Sequence, residues 1–133
     1  SSAASDVYKR QSEHRLMDGA FLYRAAEFFV APTDPDKLAL YHKFTDLFYN
    51  ALCADAPFER HEVPYNNACL PALKVPASTG LKRGTIVIHG GFDSFIEEFY
   101  ALACYFVDLD YEVILFEGPG QGGALKKFGL LLL

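Results

Sequence analysis

The chain has 133 residues, enough for one domain or for part of a larger one. Hydrophobic residues make up 51% and charged residues 22%, which is the balance of an ordinary globular protein. A net charge of -5, with Lys82-Arg83 and Lys126-Lys127 as isolated basic pairs, argues against a nucleic-acid partner, which needs clustered Lys and Arg.

The opening residues, SSAASDVYKRQ, do not read as the start of a fold. Asp6 to Gln11 resembles the translated end of a transposon adapter used in sequencing libraries. Residues 1–11 are therefore expected to be an artefact or a disordered tail and are set aside. The chain lacks an initial Met and ends in FGLLLL, so both ends read as cut.

Met17, Phe21, Ala25, Phe28 and Phe29 recur near helical spacing and predict a helix over 13–30. Asp34 before Pro35 is a helix-start signal, with the carboxylate as cap and proline in the first turn. The next helix is expected from about Pro35 to Ala54. It presents Leu40, Tyr41, Phe44, Leu47, Phe48, Ala51 and Leu52 on one face. The two helices form an αα-hairpin over 12–55. Its aromatic stripe reads first as core, and otherwise as a lid or a homodimer surface through the N-terminal helices. Residues 56–133 then change style. Phe58 to Tyr65 and Cys69 to Val75 flank Asn66-Asn67, a turn signal, and predict a β-hairpin. Pro71 places that hairpin at a sheet edge. Thr85 to Ile88 is continuously apolar, as for a strand buried on both faces. Ser94 caps a helix carrying Phe95, Phe99, Leu102, Ala103 and Phe106, and Val113 to Phe116 is the next strand. Strand, turn, helix, strand and turn in this order predict an α/β fold with its working loops at the carboxyl ends of parallel strands.

No apolar run is long enough to span a membrane and no signal peptide is visible, so no membrane partner is expected. Cys53, Cys69 and Cys104 are odd in number, far apart and lack zinc-type spacing. They are expected to be reduced, mostly buried thiols of a cytoplasmic protein.

The chemistry concentrates in two glycine turns. His89-Gly90-Gly91-Phe92 follows a strand and precedes a helix. Hydrolysis of a carbonyl compound passes through an oxyanion that preorganised backbone N–H groups stabilise. Gly91 and Phe92 are the candidate oxyanion-hole donors, Gly90 permits the turn, and His89 is expected to brace the loop. Glu117-Gly118-Pro119-Gly120-Gln121-Gly122-Gly123 is the second turn. Its Gly118, Gly120 and Gly123 match G-x-G-x-x-G, but Pro119 removes an N–H and the unit does not open its domain, so a dinucleotide site is not favoured. Glu97-Glu98 reads as a solvated helix cap. No Ser lies in a G-x-S-x-G context, and no catalytic triad can be assembled from residues 1–133.

The runs IHGGFDSFIEEFY and YEVILFEGPGQGGAL, with YRAAEFFVAPTDPDKLALYHKFTDLFY upstream, resemble α/β-hydrolases that carry an N-terminal helical extension. That group includes esterase-like proteins, dihydroxypseudooxynicotine hydrolases that cleave a carbon–carbon bond, and fungal polyketide-shortening hydrolases. The resemblance spans roughly Arg15 to Phe128. It implies an N-terminal αα-hairpin followed by the first strands of an incomplete α/β-hydrolase sheet. It places Gly91 or Phe92 in the oxyanion hole, with Glu117, Gly118 and Gly120 in a loop that supports the site. It implies a small-molecule substrate and no cofactor or metal. The family's Ser, Asp and His would lie beyond Leu133, so the piece alone is expected to be inactive. The alternative is a short non-catalytic module that binds a phosphate-containing ligand at the Gly118–Gly123 turn.

Overall fold

The computed structural model describes residues 3–52 and 57–131. The chain divides into two compact units, Ser1–Ala56 and Pro57–Leu133.

The first unit is an αα-hairpin of α1 (Ala3–Phe29) and α2 (Asp36–Ala51). Residues 3–11 continue α1 without a break, since no Gly or Pro interrupts them. Pro35 has helical dihedrals, and the Asp36 N–H donates to Asp34 Oδ1 at 2.9 Å. Asp34 therefore caps the helix as expected, with Pro35 as its first helical residue. Tyr41, Phe44, Thr45, Phe48 and Ala51 form the buried stripe of α2. The expected face of α1 needs correction. Phe28 and Phe29 are exposed, and Phe21 is partly so, although its ring meets Phe44 edge-on at 5.6 Å. The buried stripe is Ala20, Arg24 and Glu27. Ala20 lets the helices approach. Arg24 Nη1 and Lys37 Nζ lie 2.7 and 2.9 Å from the Glu27 carboxylate, which keeps that charge paired inside the hairpin.

The second unit is a four-stranded sheet in the order β1-β2-β4-β3. The strands are β1 (Glu59–Tyr65), β2 (Ala68–Val75), β3 (Gly84–His89) and β4 (Tyr111–Phe116). Helix α3 (Tyr100–Asp108), entered through a 3-10 turn at Ile96–Phe99, joins β3 to β4, and α4 (Gly122–Phe128) follows. The hairpin closes with Tyr65 opposite Ala68, and Asn66 takes a φ of 52° that asparagine tolerates. β2 runs antiparallel to β4, and β4 parallel to β3. Leu73, Val75, Val113 and Leu115 are buried with Ala103, Val107 and Ala124 from the helices.

Two expectations change here. The hairpin lies at a sheet edge as expected, with β1 outermost, but Pro71 sits on its inner strand, because β2 lies between β1 and β4. It is tolerated because it lies at the end of the pairing with β4, which stops at Ala72 opposite Phe116, so at most one ladder bond is lost. Its carbonyl still accepts from Glu117 N at 3.0 Å. β3 is not buried on both faces: it pairs with β4 alone among the described residues, its exposure alternates, and Val87 is 59% exposed. No helix among the described residues is long and apolar enough to cross a membrane. Cys69 and Cys104 are free thiols that are half-buried rather than enclosed, and Cys53 lies outside the described residues. Burial pushes the Cys104 thiol up, and burial followed by the neighbouring Cys104 pushes the Tyr100 hydroxyl up to about 12.

Candidate active site

Because β3 and β4 are parallel and in register, with His89 opposite Phe116, the turns that follow them emerge side by side. This is where ligands bind in parallel α/β sheets. The first turn, residues 90–95, bends on glycine for a steric reason. A Cβ at Gly90 would come within 2.8 Å of both Phe99 Cε2 and Ser94 Cβ. Gly91 is open by comparison, with only Ser94 Oγ at 3.7 Å. Gly91 and Phe92 are exposed, and among the described residues no acceptor takes either N–H. His89 lays its ring on Phe116 at 4.8 Å. A Cβ on Gly118 would meet His89 Nε2 at 3.3 Å, so the imidazole also sits against the second turn.

The second turn is held from within. Gly118 and Gly120 are buried, and Gly120 and Gly122 have φ of 81° and 32°. Glu117, 2% exposed, accepts from Ile96 N at 3.2 Å and from Gly123 N at 2.6 Å. It also accepts from Ala124 N. Burial, and then the charge of Glu97, push its carboxyl up to about 7 against the pull of those three N–H groups. Gln121 is the second tie. Its Oε1 accepts from Gly118 N at 2.8 Å, and its Nε2 donates to the carbonyls of Gly90 and Gly91, each at 2.7 Å. The two turns therefore form one connected loop pair, with Glu117 reaching one end of the first and Gln121 gripping the other.

No protein-family profile matches the chain. Individual relatives do. A hydrolase of Aspergillus aculeatus, acrC, is 34% identical over 149 residues, covering 98% of this chain and 33% of that protein. The α/β hydrolase gkaG of Penicillium citrinum is 29% identical over 126 residues, covering 93% and 29%. The crystal structure of the 2,6-dihydroxy-pseudo-oxynicotine hydrolase superposes with a TM-score of 0.70 at 23% identity, over 93% of this chain and 35% of that one.

The chain resembles the α/β-hydrolases in sequence and in fold.

It spans about a third of the length of the relatives it matches. The helical hairpin followed by the first strands of a hydrolase sheet stands as expected. Within the second unit the structure brings all the sequence-predicted site residues together: His89, Gly90, Gly91 and Phe92 on one turn, Glu117, Gly118 and Gly120 on the other. Two features of the expected helix start are different. Ser94 is not its cap. The cap position is Phe95, whose N–H donates back to Glu98 Oε1 at 2.9 Å. Glu97 is 4% exposed rather than solvated, because the 3-10 turn rotates it inward towards Glu117 while Glu98 stays outside. Gln121 escaped the sequence reading altogether. Its role depends on a loop 30 and 31 residues away, and glutamine in a glycine turn carries no signal of that contact.

Proposed function

We propose that this chain is the N-terminal part of a serine α/β-hydrolase that cleaves an ester or a related carbonyl bond, carbon–carbon bonds included. The observation that carries the reading is the pair of unclaimed N–H groups on Gly91 and Phe92, exposed beside the β4 turn at the carboxyl end of β3. In such an enzyme a Ser activated by a His attacks the carbonyl carbon, and negative charge gathers on the carbonyl oxygen. Donors already fixed in the protein stabilise that charge without reorganising at the moment of reaction. Residues 1–133 contain no Ser in a G-x-S-x-G context, so the piece alone is inactive. Relatives named as hydrolases, acrC and gkaG among them, support the reaction class.

The phosphate-binding alternative has less support. A phosphate needs free backbone N–H groups at the glycine turn. Here Gly123 and Ala124 donate to Glu117, Gly118 donates to Gln121, and Gly120 donates to Leu130 O at 2.7 Å. A buried carboxylate already occupies the place an anion would take.

The test is to read the source gene beyond the codon for Leu133 and to assay the encoded protein. We expect a G-x-S-x-G motif, then Asp and His. We also expect hydrolysis of p-nitrophenyl acyl esters that a serine-directed fluorophosphonate abolishes. Ester hydrolysis by residues 1–133 alone, or a longer protein with no reactive Ser, would overturn the proposal.

A further inference from the structure

The grip of Gln121 on two successive carbonyls sets a direction as well as a position. A trans peptide is planar, with its C=O and N–H on opposite sides. The Gly90 carbonyl shares its plane with the Gly91 N–H, and the Gly91 carbonyl shares its plane with the Phe92 N–H. Gln121 Nε2 draws both oxygens towards itself at 2.7 Å, and no peptide among the described residues is cis. Both N–H groups are therefore turned to the face of the loop away from Gln121. The amide cannot be reversed at equal energy. A flipped side chain would set its oxygen against two carbonyl oxygens and its NH2 against the Gly118 N–H. Gln121 as a whole is 6% exposed, so water does not readily replace it.

We propose that Gln121 is a positioning residue that aims the Gly91 and Phe92 N–H pair at the carbonyl oxygen of an ester-class substrate. The aim rests on the hydrolase reading above; the orientation of the loop does not. Ser94 N, which donates to Gly91 O at 3.2 Å, shares the load on one carbonyl, but among the described residues only Gln121 holds both.

The experiment is NMR on the 15N-labelled chain, unmodified and as Gln121→Met, which keeps length and apolar bulk but cannot donate. In the unmodified chain the Gln121 side-chain protons should exchange with water more slowly than those of exposed Asn50. The Gly91 and Phe92 amides should exchange at nearly unprotected rates. In Gln121→Met the Gly91 and Phe92 signals should move while those of Val113 and Leu115 stay in place. Gln121 protons that exchange as fast as those of Asn50, or Gly91 and Phe92 signals unmoved by the substitution, would overturn the proposal. If the variant does not fold, the exchange comparison in the unmodified chain still decides. In the hydrolase that carries this segment, Gln121→Met should lower kcat on the order of 100-fold with KM little changed. A loss of thermal stability with kcat intact would leave Gln121 merely structural and refute the positioning role. Failure of that protein to hydrolyse any carbonyl substrate would sink the hydrolase reading instead and leave the NMR outcome standing, so the two failures are distinct.

Discussion

Glu117 should make the chain less stable as pH rises from about 5 to about 8. Its carboxyl is enclosed beside Glu97, and its pKa is pushed up from 4.5 to about 7. The folded state therefore keeps a proton that the unfolded chain releases. The stabilisation is fully present below the unfolded pKa of 4.5 and is lost as pH climbs through about 7. The difference between the two pKa values corresponds to ~3 kcal/mol. Glu112 acts in the opposite sense and in a lower window. The Thr85 hydroxyl, ahead of Lys82 and Lys74, holds its carboxyl below the ordinary range, so its contribution fades only in more acidic solution. Urea unfolding at about pH 5 and about pH 8, at fixed ionic strength, isolates the Glu117 effect. Glu117→Gln supplies the control. An amide has one acceptor oxygen, so its NH2 would face the N–H of Ile96 or of Gly123, at a loss of about 1–3 kcal/mol. That loss should be independent of pH, and the fall in stability between the two conditions should disappear. Stability that is level or rising towards pH 8 in the unmodified chain, or a fall that survives in Glu117→Gln, would refute the reasoning.

Gly122→Ala should destabilise the second unit by about 2 kcal/mol or more, since a Cβ there runs into the Glu117 carboxylate at a positive φ. A thermal melt within error of the unmodified chain would contradict this. The two glycines of the first turn should separate cleanly: Gly90→Ala lowers the melting temperature because its Cβ meets Phe99 and Ser94 at 2.8 Å, whereas Gly91→Ala leaves it nearly unchanged. Equal melting temperatures for the two variants would refute the packing described for the loop. Asp34→Ala should cost about 1 kcal/mol by releasing the Asp36 N–H, read as lost helicity in circular dichroism during urea titration.

Local signals carried much of the fold. Asp34-Pro35 announced the start of α2 because capping involves neighbours in sequence, and Asn66-Asn67 announced the hairpin for the same reason. The aromatic positions of α2 matched its buried face because one helix period governs both. Errors arose where packing overrode composition. Phe28 and Phe29 looked like core on α1, yet the helices meet through Ala20 and a paired charge cluster that no hydrophobic pattern reveals. Ile86-Val87-Ile88 looked doubly buried, yet β3 has a neighbour on one side only among the described residues. Within the site, the glycines were legible because their backbone demands are local. The Glu97–Glu117 pair and the Gln121 clamp were not, since each depends on two turns that become neighbours only when β3 and β4 pair.

The lysine at the start of α2 has a consequence for the loop before it. Lys37 Nζ donates to the carbonyls of Glu27 and Val30 at 2.8 and 3.1 Å as well as pairing with the Glu27 carboxylate. α1 has no basic residue in its own last turn, so the positive charge that closes it is borrowed from the next helix. Surface connections ordinarily accept inserted residues, because a longer loop adds little to the entropy of closure. The connection from Val30 to Pro35 is different: its length sets the reach of a cation that serves two helices. An insertion there would release the end of α1 and leave Glu27 with one fewer counter-charge, so this short link should resist lengthening far more than the polar loop from Pro76 to Arg83.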